Sequence, residues 1–580
     1  MRISSWSHTL TAVLLGVSAA QARPVSDDDL ANAAGNTSEW LMYGRTYDNH
    51  RYVPLAKITP ENVSKLRPVW AFSTGGQLGG LEATPLVHDG MIYLSADYSR
   101  VFAIDARTGV MKWSYVPEFD EALPAKLCCG PINRGVALYG DLVYVATLDA
   151  RLIALNKDDG KVVWEKPVGN WKASYTATGA PLVVNGKVIS GIAGAEYGVR
   201  GYLKAFDAKT GDEAWTTYTI PAPGEKGSDT WPGETWKTGG ASTWITGVYD
   251  PALNLLYWGT GNPGPWNSDL RKGDNLWSSS LLGLDPATGA FKWGFQYTPN
   301  DAWDYDGNCA PVLVDLMVNG MIHKAAVQAN RNGFLYALDR ASGKFLYAKP
   351  TVPGINWTTG IDPETGRPAI NEAMRPKSGG AKVERIVPGL EGGTNWFPIA
   401  YNPDLHYVIL NSNDWAMALT AWPPEKVTYK EGDVYMGVDF KMYRTKDVIG
   451  RTMAFDLGKG EFVWETPNPL PLFAGVLTTQ SGLVFTGDQR GYAQALDAKT
   501  GKVLWQFQTG SGINASPITY ELDGVQYIAI PSGLGGDPSF YYNAPKGGML
   551  WVFALEGTQV PEPKTWSQTE IPDALPRLNP

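Results

Sequence analysis

An eleven-residue pattern, Ala/Gly-x-Asp/Asn-x-x-x-Gly-x-x-x-Trp/Tyr, recurs seven times along this chain of 580 residues. In each copy an apolar run ends at the acid or amide, a polar turn with glycine follows, and a second run begins, which is typical of a β-hairpin. One hairpin cannot bury its own apolar face, so the repeat predicts sheets stacked around an axis. The aromatic residues that close the copies are Trp113, Trp164, Trp215, Trp293, Tyr347, Trp464 and Trp505. We therefore expect an all-β fold, an eight-bladed β-propeller with Trp-docking motifs in which Trp70 serves the eighth blade.

The spacing of the repeats is uneven. The intervals from Trp215 to Trp293 and from Tyr347 to Trp464 span 78 and 117 residues, against 41 to 54 for the others. Loops of that length in a compact domain are usually functional or disordered. The stretch from Pro353 to Pro388 has no sustained apolar period and is interpreted as an irregular cover over the blades.

The amino-terminal residues have the composition of a secretory leader. Met1 and Arg2 precede a short apolar run at 10–17, and Ala20-Gln21-Ala22 is a small-x-small cleavage site. We expect residues 1–22 to be a signal peptide and residues 23–580 to form the propeller domain. No other apolar stretch approaches the roughly 20 residues that a membrane helix needs, so no membrane span is predicted. The mature protein is expected in the periplasm.

The charge balance excludes one class of partner. The formal net charge is −9, which argues against nucleic acid and suits a basic protein partner.

The three cysteines are too few for a disulfide scaffold. Cys128 and Cys129 are adjacent, and from the dipeptide alone either two reduced, buried thiols or a strained vicinal disulfide is possible. Cys309 is interpreted as buried and free. The sequence has no Cys-x-x-Cys-His motif and hence no covalent c-type haem.

The segment Trp303-Asp304-Tyr305-Asp306-Gly307 carries a pair of acids that an extended backbone would project to one side. Two carboxylates so close repel each other unless a cation lies between them, and the alternative is a solvated acidic turn. Oxygen donors select hard cations such as Ca²⁺ or a trivalent ion. None of the five histidines, at positions 8, 50, 88, 323 and 406, has ligand spacing.

Several motifs together resemble the pyrroloquinoline quinone (PQQ) dependent alcohol dehydrogenases. Besides the repeats and Cys128-Cys129-Gly130, they are Gly194-Ala195-Glu196, the stretch Gly261-Asn262-Pro263-Gly264-Pro265-Trp266-Asn267 and the acidic segment above. The resemblance covers nearly the whole mature chain. It implies a cofactor near the propeller axis, stacked between an indole floor at Trp244 and a vicinal disulfide at Cys128 and Cys129.

The same resemblance implies the binding residues. Glu196, Asn262 and Asp304 match the metal ligands of the family. The positions that contact the cofactor in the family correspond here to Glu82, Arg134, Thr178, Gly194, Ala195, Arg331, Asn395 and Trp396. Two positions depart from the commoner pattern, because Ala193 stands where a hydroxyl residue is often found and Phe473 where an indole is frequent.

The residue at position 306 distinguishes two types of enzyme within the family by their metal. Calcium enzymes generally carry a small neutral residue here, whereas those that resemble the lanthanide-dependent type carry Asp. Glu196, Asp304 and Asp306 supply three negative charges that would balance a trivalent ion, so a lanthanide is expected, with Ca²⁺ as the alternative.

The implied reaction is oxidation of a small primary alcohol, with hydride transfer to the quinone. Asp304 is the expected base and Arg331 the residue that stabilises charge on the quinone oxygen. A separate soluble cytochrome c is the expected electron acceptor.

Three alternatives remain at this point. A lanthanide-type methanol dehydrogenase differs in substrate from the favoured ethanol-type enzyme. A non-enzymatic propeller scaffold would explain the repeats but not the acids and the cysteine pair. A sugar or polyol quinoprotein would not be expected to have the vicinal cysteines.

Overall fold

The computed structural model describes residues 23–75, 79–444, 447–536 and 545–556. The predicted leader at 1–22 and the last residues of the predicted domain, 557–580, lie outside the described residues. Strands dominate the described residues, and their one α-helix spans Asp27–Ala31. No helix in these ranges is long and apolar enough to cross a membrane.

Eight sheets of four or five strands form the body of the described chain, numbered here I to VIII in chain order of their repeats. Sheet I comprises Leu86–His88, Met91–Ser95, Val101–Asp105 and Met111–Tyr115, and sheet II comprises Ala137–Tyr139, Leu142–Ala146, Arg151–Asn156 and Val162–Pro167. Sheet III comprises Leu182–Val184, Lys187–Gly191, Tyr202–Asp207 and Glu213–Tyr218, and sheet IV comprises Val248–Asp250, Leu255–Gly259, Ser280–Leu284 and Phe291–Gln296. Each is an antiparallel meander, as the hairpin repeat predicts.

Sheets V to VIII follow the same plan. Sheet V comprises Val312–Val318, Met321–Ala329, Phe334–Asp339 and Phe345–Pro350, and sheet VI comprises Ala400–Asn402, Tyr407–Asn413, Gly450–Asp456 and Glu461–Asn468. Sheet VII comprises Leu477–Thr479, Leu483–Gly487, Tyr492–Asp497, Val503–Gln508 and the added strand Tyr52–Val53. Sheet VIII comprises Ile518–Leu522, Val525–Ser532, Met549–Leu555 and Leu66–Ser73. In sheet VIII the outer strand, which carries Trp70, comes from the start of the chain and pairs with Met549–Leu555.

The insertions contain additional short elements. Two small sheets comprise Thr358–Ile361 with Pro368–Ile370, and Val383–Ile386 with Ala416–Ala421 and Val438–Tyr443. The interpretation of 353–388 as irregular cover is therefore wrong for three short strands, two of which pair within the stretch while the third pairs with a later insertion. Short 3₁₀ helices span Ala33–Gly35, Val63–Lys65, Asp97–Ser99, Leu123–Lys126, Trp171–Ala173, Ala195–Tyr197, Ser228–Thr230, Thr235–Thr238, Ser268–Leu270, Glu372–Met374 and Pro424–Lys426.

The repeat aromatic residues dock as the sequence predicts. Trp70 lies against Gly109 of the next sheet so closely that a Cβ on that glycine would be 2.6 Å from the indole. Trp113 contacts Gly160 in the same way, and its Nε1 donates to the carbonyl of Lys157 at 2.9 Å. The same contact joins the pairs Trp164 and Gly211, Trp215 and Gly289, Trp293 and Gly343, and Trp464 and Gly501.

Ring contacts join the remaining neighbours. Tyr347 packs against Phe455 with ring centroids 6.2 Å apart, and Trp505 against Phe553 at 5.1 Å. The propeller is thus confirmed. Eight blades stay a prediction, which the eight sheets of the described residues support.

A segment that we call the N-terminal strap, residues 23–58, runs across one end of the sheets. Its residues 47–51 pass from one first strand to the next. Backbone N–H groups in the first strands of four sheets donate to carbonyls of the strap: sheet IV to Tyr47, sheet V to Asp48, sheet VI to His50 and sheet VII to Arg51. The Tyr47 hydroxyl in turn donates to the carbonyl of Val183 in sheet III. A segment of five residues can contact five sheets only where the first strands of those sheets converge. The strap therefore covers the centre of this end of the propeller.

Candidate active site

The predicted site residues gather at the end of the sheets opposite the strap. Glu82, Arg134, Thr178, Trp244, Asp304, Asp306, Asn395 and Trp396 precede first strands, whereas Gly194, Ala195, Glu196, Asn262 and Arg331 follow second strands. Because neighbouring strands are antiparallel, the start of the first and the end of the second lie at the same end of a sheet. Residues far apart in sequence therefore meet there.

Arg331 joins the two acids of the sequence motif. Its Nη2 donates to Asp304 Oδ2 at 2.8 Å and its Nη1 to Asp306 Oδ2 at 3.0 Å. All three side chains are buried. Arg331 Nη2 also donates to the carbonyl of Leu390 at 2.7 Å, which fixes the guanidinium from a third side.

Asp306 also faces Asn262. Its Oδ1 accepts from the backbone N–H of Asn262, and its Oδ2 accepts from Trp244 Nε1 at 2.8 Å. The amide of Asn262 has two orientations with different consequences. In one, its oxygen faces Glu196 Oε1 at 3.0 Å and Asp306 Oδ1 at 3.3 Å; in the other, its nitrogen donates to both and its oxygen accepts from Trp266 Nε1 at 2.8 Å.

The carboxylates of this cluster are difficult to ionise together. Burial raises the pKa of Glu196 to about 7, and repulsion from Asp306 adds to it. Burial also raises the pKa of Asp304 well above its usual value, against the attraction of Arg331, while Asp306 and Glu196 push it further up. A cation among these oxygens would remove both penalties.

The metal ligands predicted from the sequence, Glu196, Asn262, Asp304 and Asp306, are thus brought into one neighbourhood. Within the part of the chain that the structure describes, no three His, Cys, Asp or Glu side chains converge closely enough to hold a metal by themselves. Arg331 holds two of the carboxylates instead. The donor set still fits a hard cation, since every member offers oxygen and the Asn262 oxygen can face two carboxylates.

A second group of residues forms a flat aromatic and cationic surface beside this cluster. The guanidinium of Arg134 lies 4.8 Å from the centre of the Trp244 ring and 5.6 Å from that of Trp396, and it pairs with Glu82 at 2.9 Å. Arg134 Nε and Nη1 and Trp396 Nε1 are buried without a hydrogen-bond partner in the structure. Buried donors of this kind normally have an acceptor. The acidic and carbonyl groups of PQQ would supply one, so these residues fit the cofactor.

Two predicted cofactor residues, Thr178 and Gly194, act here through their backbone, and Asn395 acts through its side chain. The carbonyl of Thr178 accepts from Arg134 N at 2.9 Å. Gly194 has a φ of +113°, which favours glycine, and it leads into the 3₁₀ turn that begins at Ala195 and carries Glu196. Asn395 lies beside Trp396, but its Nδ2 donates to Glu391 Oε2 at 2.9 Å.

The cysteine pair lies close to Glu196, and the Cys128 thiol acts to lower the pKa of that carboxyl against the effect of burial. The two sulfurs are 2.8 Å apart and unbonded, so the vicinal disulfide is not formed in this structure and stays a prediction. Cys309 is buried and free, as the sequence predicts, with its sulfur 3.2 Å from the carbonyl oxygen of Asn395.

The two positions that depart from the family pattern differ in environment. Phe473 is fully buried and stacks on Trp396 with centroids 5.2 Å apart and an interplanar angle of 9°. It therefore supports the aromatic wall from behind. Ala193 pairs through its backbone with Thr176 and contributes no polar group.

Sequence reasoning missed two buried acids. Asp301 accepts hydrogen bonds from the backbone N–H of Trp303 at 2.9 Å and of Tyr305 at 2.8 Å, on both sides of Asp304. Glu391 adjoins Asn395. The position of Asp301 just before the acidic motif was an available signal, but nothing in the sequence indicated the contact of Glu391.

Comparison with known proteins shows the family of this chain. The chain matches the model of the PQQ family described as glucose/ethanol/alcohol dehydrogenase, beta-propeller domain, over residues 40–353 and 368–528. It is 44% identical to quinoprotein alcohol dehydrogenase PedH of Pseudomonas putida, over 95% of this chain and 96% of that protein. It is 37% identical to the lanthanide-dependent methanol dehydrogenase of Methylacidiphilum fumariolicum, over 92% of this chain and 95% of that protein.

A solved structure has the same fold. The structure titled europium-containing methanol dehydrogenase superposes with a TM-score of 0.87 at 37% identity, covering 91% of this chain and 100% of that one. The fold and the site define a propeller quinoprotein. The chain belongs to the family of PQQ-dependent alcohol dehydrogenases.

Proposed function

We propose that this chain oxidises small primary alcohols, ethanol and similar compounds, to aldehydes with PQQ and a lanthanide ion. The observation that carries the choice of metal is the position of Asp306, whose Oδ1 faces the Asn262 amide next to Glu196. With Asp304, the neighbourhood contains three carboxylates against the single guanidinium of Arg331, and Asp306 gives the site one more anionic oxygen donor than Glu196 and Asp304 alone, which favours an ion of higher charge. Ca²⁺ is the alternative metal.

The choice of alcohol rests on the names of the relatives. The relative with 44% identity is named an alcohol dehydrogenase, and a further relative from Pseudomonas putida, 41% identical over 95% of this chain, is named an ethanol dehydrogenase. Methanol is the alternative substrate, because the Methylacidiphilum relative is named a methanol dehydrogenase. A non-enzymatic scaffold is not supported, since the family is one of dehydrogenases.

The chain's residues take defined roles in the proposed reaction. Asp304 takes the hydroxyl proton of the alcohol, and a bound cation would keep it ionised, which is the state that can accept a proton. Arg331, 2.8 Å from Asp304, orients that carboxylate and holds positive charge at the site. When bound, PQQ supplies a two-electron acceptor and the cation a Lewis acid.

The binding roles follow the contacts. Trp244 is the flat floor, Arg134 and Glu82 a charged edge, and Trp396 a second aromatic wall. Thr178, Gly194, Ala195 and Asn395 complete the cofactor contacts, and the Cys128 and Cys129 pair, once oxidised, covers the opposite face. We further propose that the protein works in the periplasm and that its electrons pass to a soluble cytochrome c, a basic partner for a chain of net charge −9.

Reconstitution tests this proposal. The purified protein, freed of metal and cofactor, is supplied with PQQ and either La³⁺ or Ca²⁺, and reduction of an artificial dye is measured with ethanol and with methanol. We expect PQQ-dependent activity that La³⁺ supports best and that nicotinamide does not replace. Activity that needed NAD and ignored PQQ would contradict the assignment as a PQQ-dependent dehydrogenase. Full activity with Ca²⁺ alone would contradict the lanthanide assignment, and a higher kcat/KM for methanol than for ethanol would contradict the substrate assignment.

A further inference from the structure

The first described residue of the chain, Arg23, is surrounded by acidic side chains. Its guanidinium donates to Asp29 Oδ1 at 2.7 Å and to Glu39 Oε2 at 3.2 Å, and its backbone nitrogen donates to Asp89 Oδ2 at 3.1 Å. Two carboxylates thus face the guanidinium, and a third faces the backbone nitrogen. These four residues are called the Arg23 pocket below, together with His88.

The pocket is built from buried structure as well as surface acids. His88 is fully buried, and its Nε2 contacts the Arg23 carbonyl at 2.5 Å while its Nδ1 contacts Glu39 Oε1 at 2.8 Å. The Arg23 carbonyl also accepts from Lys157 Nζ. Every polar backbone atom of Arg23 is therefore held by a side chain from the propeller body, which is unusual for the outermost residues of a domain.

From these contacts we infer that Arg23 is the amino terminus of the mature chain and that Asp89 binds its α-ammonium group. Cleavage after Ala22 would convert the Arg23 amide nitrogen, 3.1 Å from Asp89, into a cation. The new charge would neutralise the carboxylate that the guanidinium leaves unpaired. The small-x-small motif Ala20-Gln21-Ala22 independently places cleavage at the same bond.

The pocket lies where it can hold the strap. Val25 exchanges backbone hydrogen bonds with Gly140 of sheet II, and Asp27 accepts from the Tyr139 hydroxyl at 3.0 Å and from Gly186 N of sheet III at 3.3 Å. With Asp89 in sheet I, the first five residues of the mature chain tie three consecutive sheets together. Processing of the leader would therefore complete a contact that secures the strap.

The experiment combines mass and reactivity. The full chain with residues 1–22 is exported from a Gram-negative host, and the intact mass of the product identifies its first residue. The α-amine is then labelled with an N-hydroxysuccinimide ester at pH 7, and labelling of the amino-terminal peptide is followed by mass spectrometry in the native and the denatured protein. An α-amine has an ordinary pKa near 8, and a neighbouring carboxylate keeps it protonated and unreactive.

We expect a mass that begins at Arg23 and native labelling several-fold slower than in the denatured chain. Asp89 faces the amine directly, and the other charged or titratable groups that contact Arg23 are Asp29, Glu39, His88 and Lys157. Asp89→Asn should remove most of the protection. Asp523→Asn is the matched control, because Asp523 is in a corresponding hairpin of sheet VIII with a φ of +52° against +48° for Asp89, and it should leave the protection intact.

Two results would overturn the inference. One is a mature chain that begins at another residue. The other is a chain that begins at Arg23 but is labelled equally fast in native wild type, native Asp89→Asn and denatured protein. Neither depends on PQQ or metal, so they are separate from the failure of the proposed reaction.

Discussion

Arg331 forms one ion pair with Asp304 at 2.8 Å and a second with Asp306 at 3.0 Å. One guanidinium thus fixes the distance between the proposed base and the carboxylate that distinguishes the metal. The arrangement neutralises part of the negative charge before any cation binds.

Replacement of Arg331 by Ala is expected to destabilise the metal-free protein more than the La³⁺-loaded protein. A buried carboxylate that loses its partner costs about 3–5 kcal/mol, and a bound cation would take over part of that role. Thermal unfolding with and without La³⁺ measures the difference. Arg340→Ala is the control, because Arg340 pairs with Asp250 at 2.6 Å away from the site and its loss should lower both midpoints equally. Equal effects of the two variants would contradict the role of Arg331.

Gly109→Ala should destabilise the propeller more than Gly460→Ala. The two glycines have φ values of +74° and +70°, so both variants bear a similar backbone penalty of about 1–2 kcal/mol. At Gly109 the new Cβ would also lie 2.6 Å from Trp70, whereas at Gly460 nothing lies within 4 Å. Overpacking adds about 1–3 kcal/mol, which urea unfolding would measure as the difference between the variants. Similar urea midpoints for the two variants would show that the Trp70 indole moves aside at little cost in stability.

The fold was largely predictable because the hairpin repeat encodes it locally. Each repeat predicts a turn at its glycine and a closing ring that packs on a neighbour, whereas the particular contact of Trp70 with Gly109 is seen only in the structure. The strap was not predictable. Its contacts from Tyr47 to Arg51 depend on where the first strands of five sheets converge, and no local period reports that geometry.

The site was predictable in its members but not in its contacts. Resemblance placed Asp304, Asp306 and Arg331 together, yet the sequence gives no sign that one guanidinium bridges both acids. Asp301 was missed because its carboxylate binds backbone N–H groups, and any residue type can offer those groups.

The cysteine pair should be oxidised in the exported protein. Without reductant, denatured wild type is expected to show one reactive thiol per chain, from Cys309, and three after reduction, since the chain has three cysteines. The double variant Cys128→Ala with Cys129→Ala should fold but release PQQ faster and lose turnover, because one face of the cofactor would be uncovered. Three thiols before reduction, or an unchanged rate of PQQ dissociation in the double variant, would show that the pair is two ordinary thiols and not a disulfide that covers the cofactor.

Asp301→Ala should reduce turnover without weakening cofactor binding. Asp304 has a φ of +64°, and Asp301 stabilises that conformation by accepting from the N–H groups on either side. Without it, Asp304 should sample other orientations, and kcat should fall about tenfold, which corresponds to about 1.4 kcal/mol, while KM and PQQ affinity change little. Asp301→Asn keeps one acceptor oxygen and should recover part of the loss. A larger change in PQQ affinity than in kcat would instead indicate a collapsed pocket.

Asp306→Ala tests the metal assignment through one residue. The carboxylate faces Asn262 next to Glu196, and its loss removes one of three negative charges while the other predicted ligands remain. La³⁺-supported dye reduction with ethanol should fall at least about a hundredfold, because the loss of a buried charge partner costs a few kcal/mol and each ~1.4 kcal/mol is tenfold. Ca²⁺ should support the variant better than it supports wild type, since removal of one carboxylate leaves less negative charge for the ion to balance. Asp315→Ala, at an exposed acid of sheet V, is the control and should respond to both ions as wild type does. An equal La³⁺ response in Asp306→Ala and wild type would show that Asp306 serves only as a partner of Trp244 and Arg331.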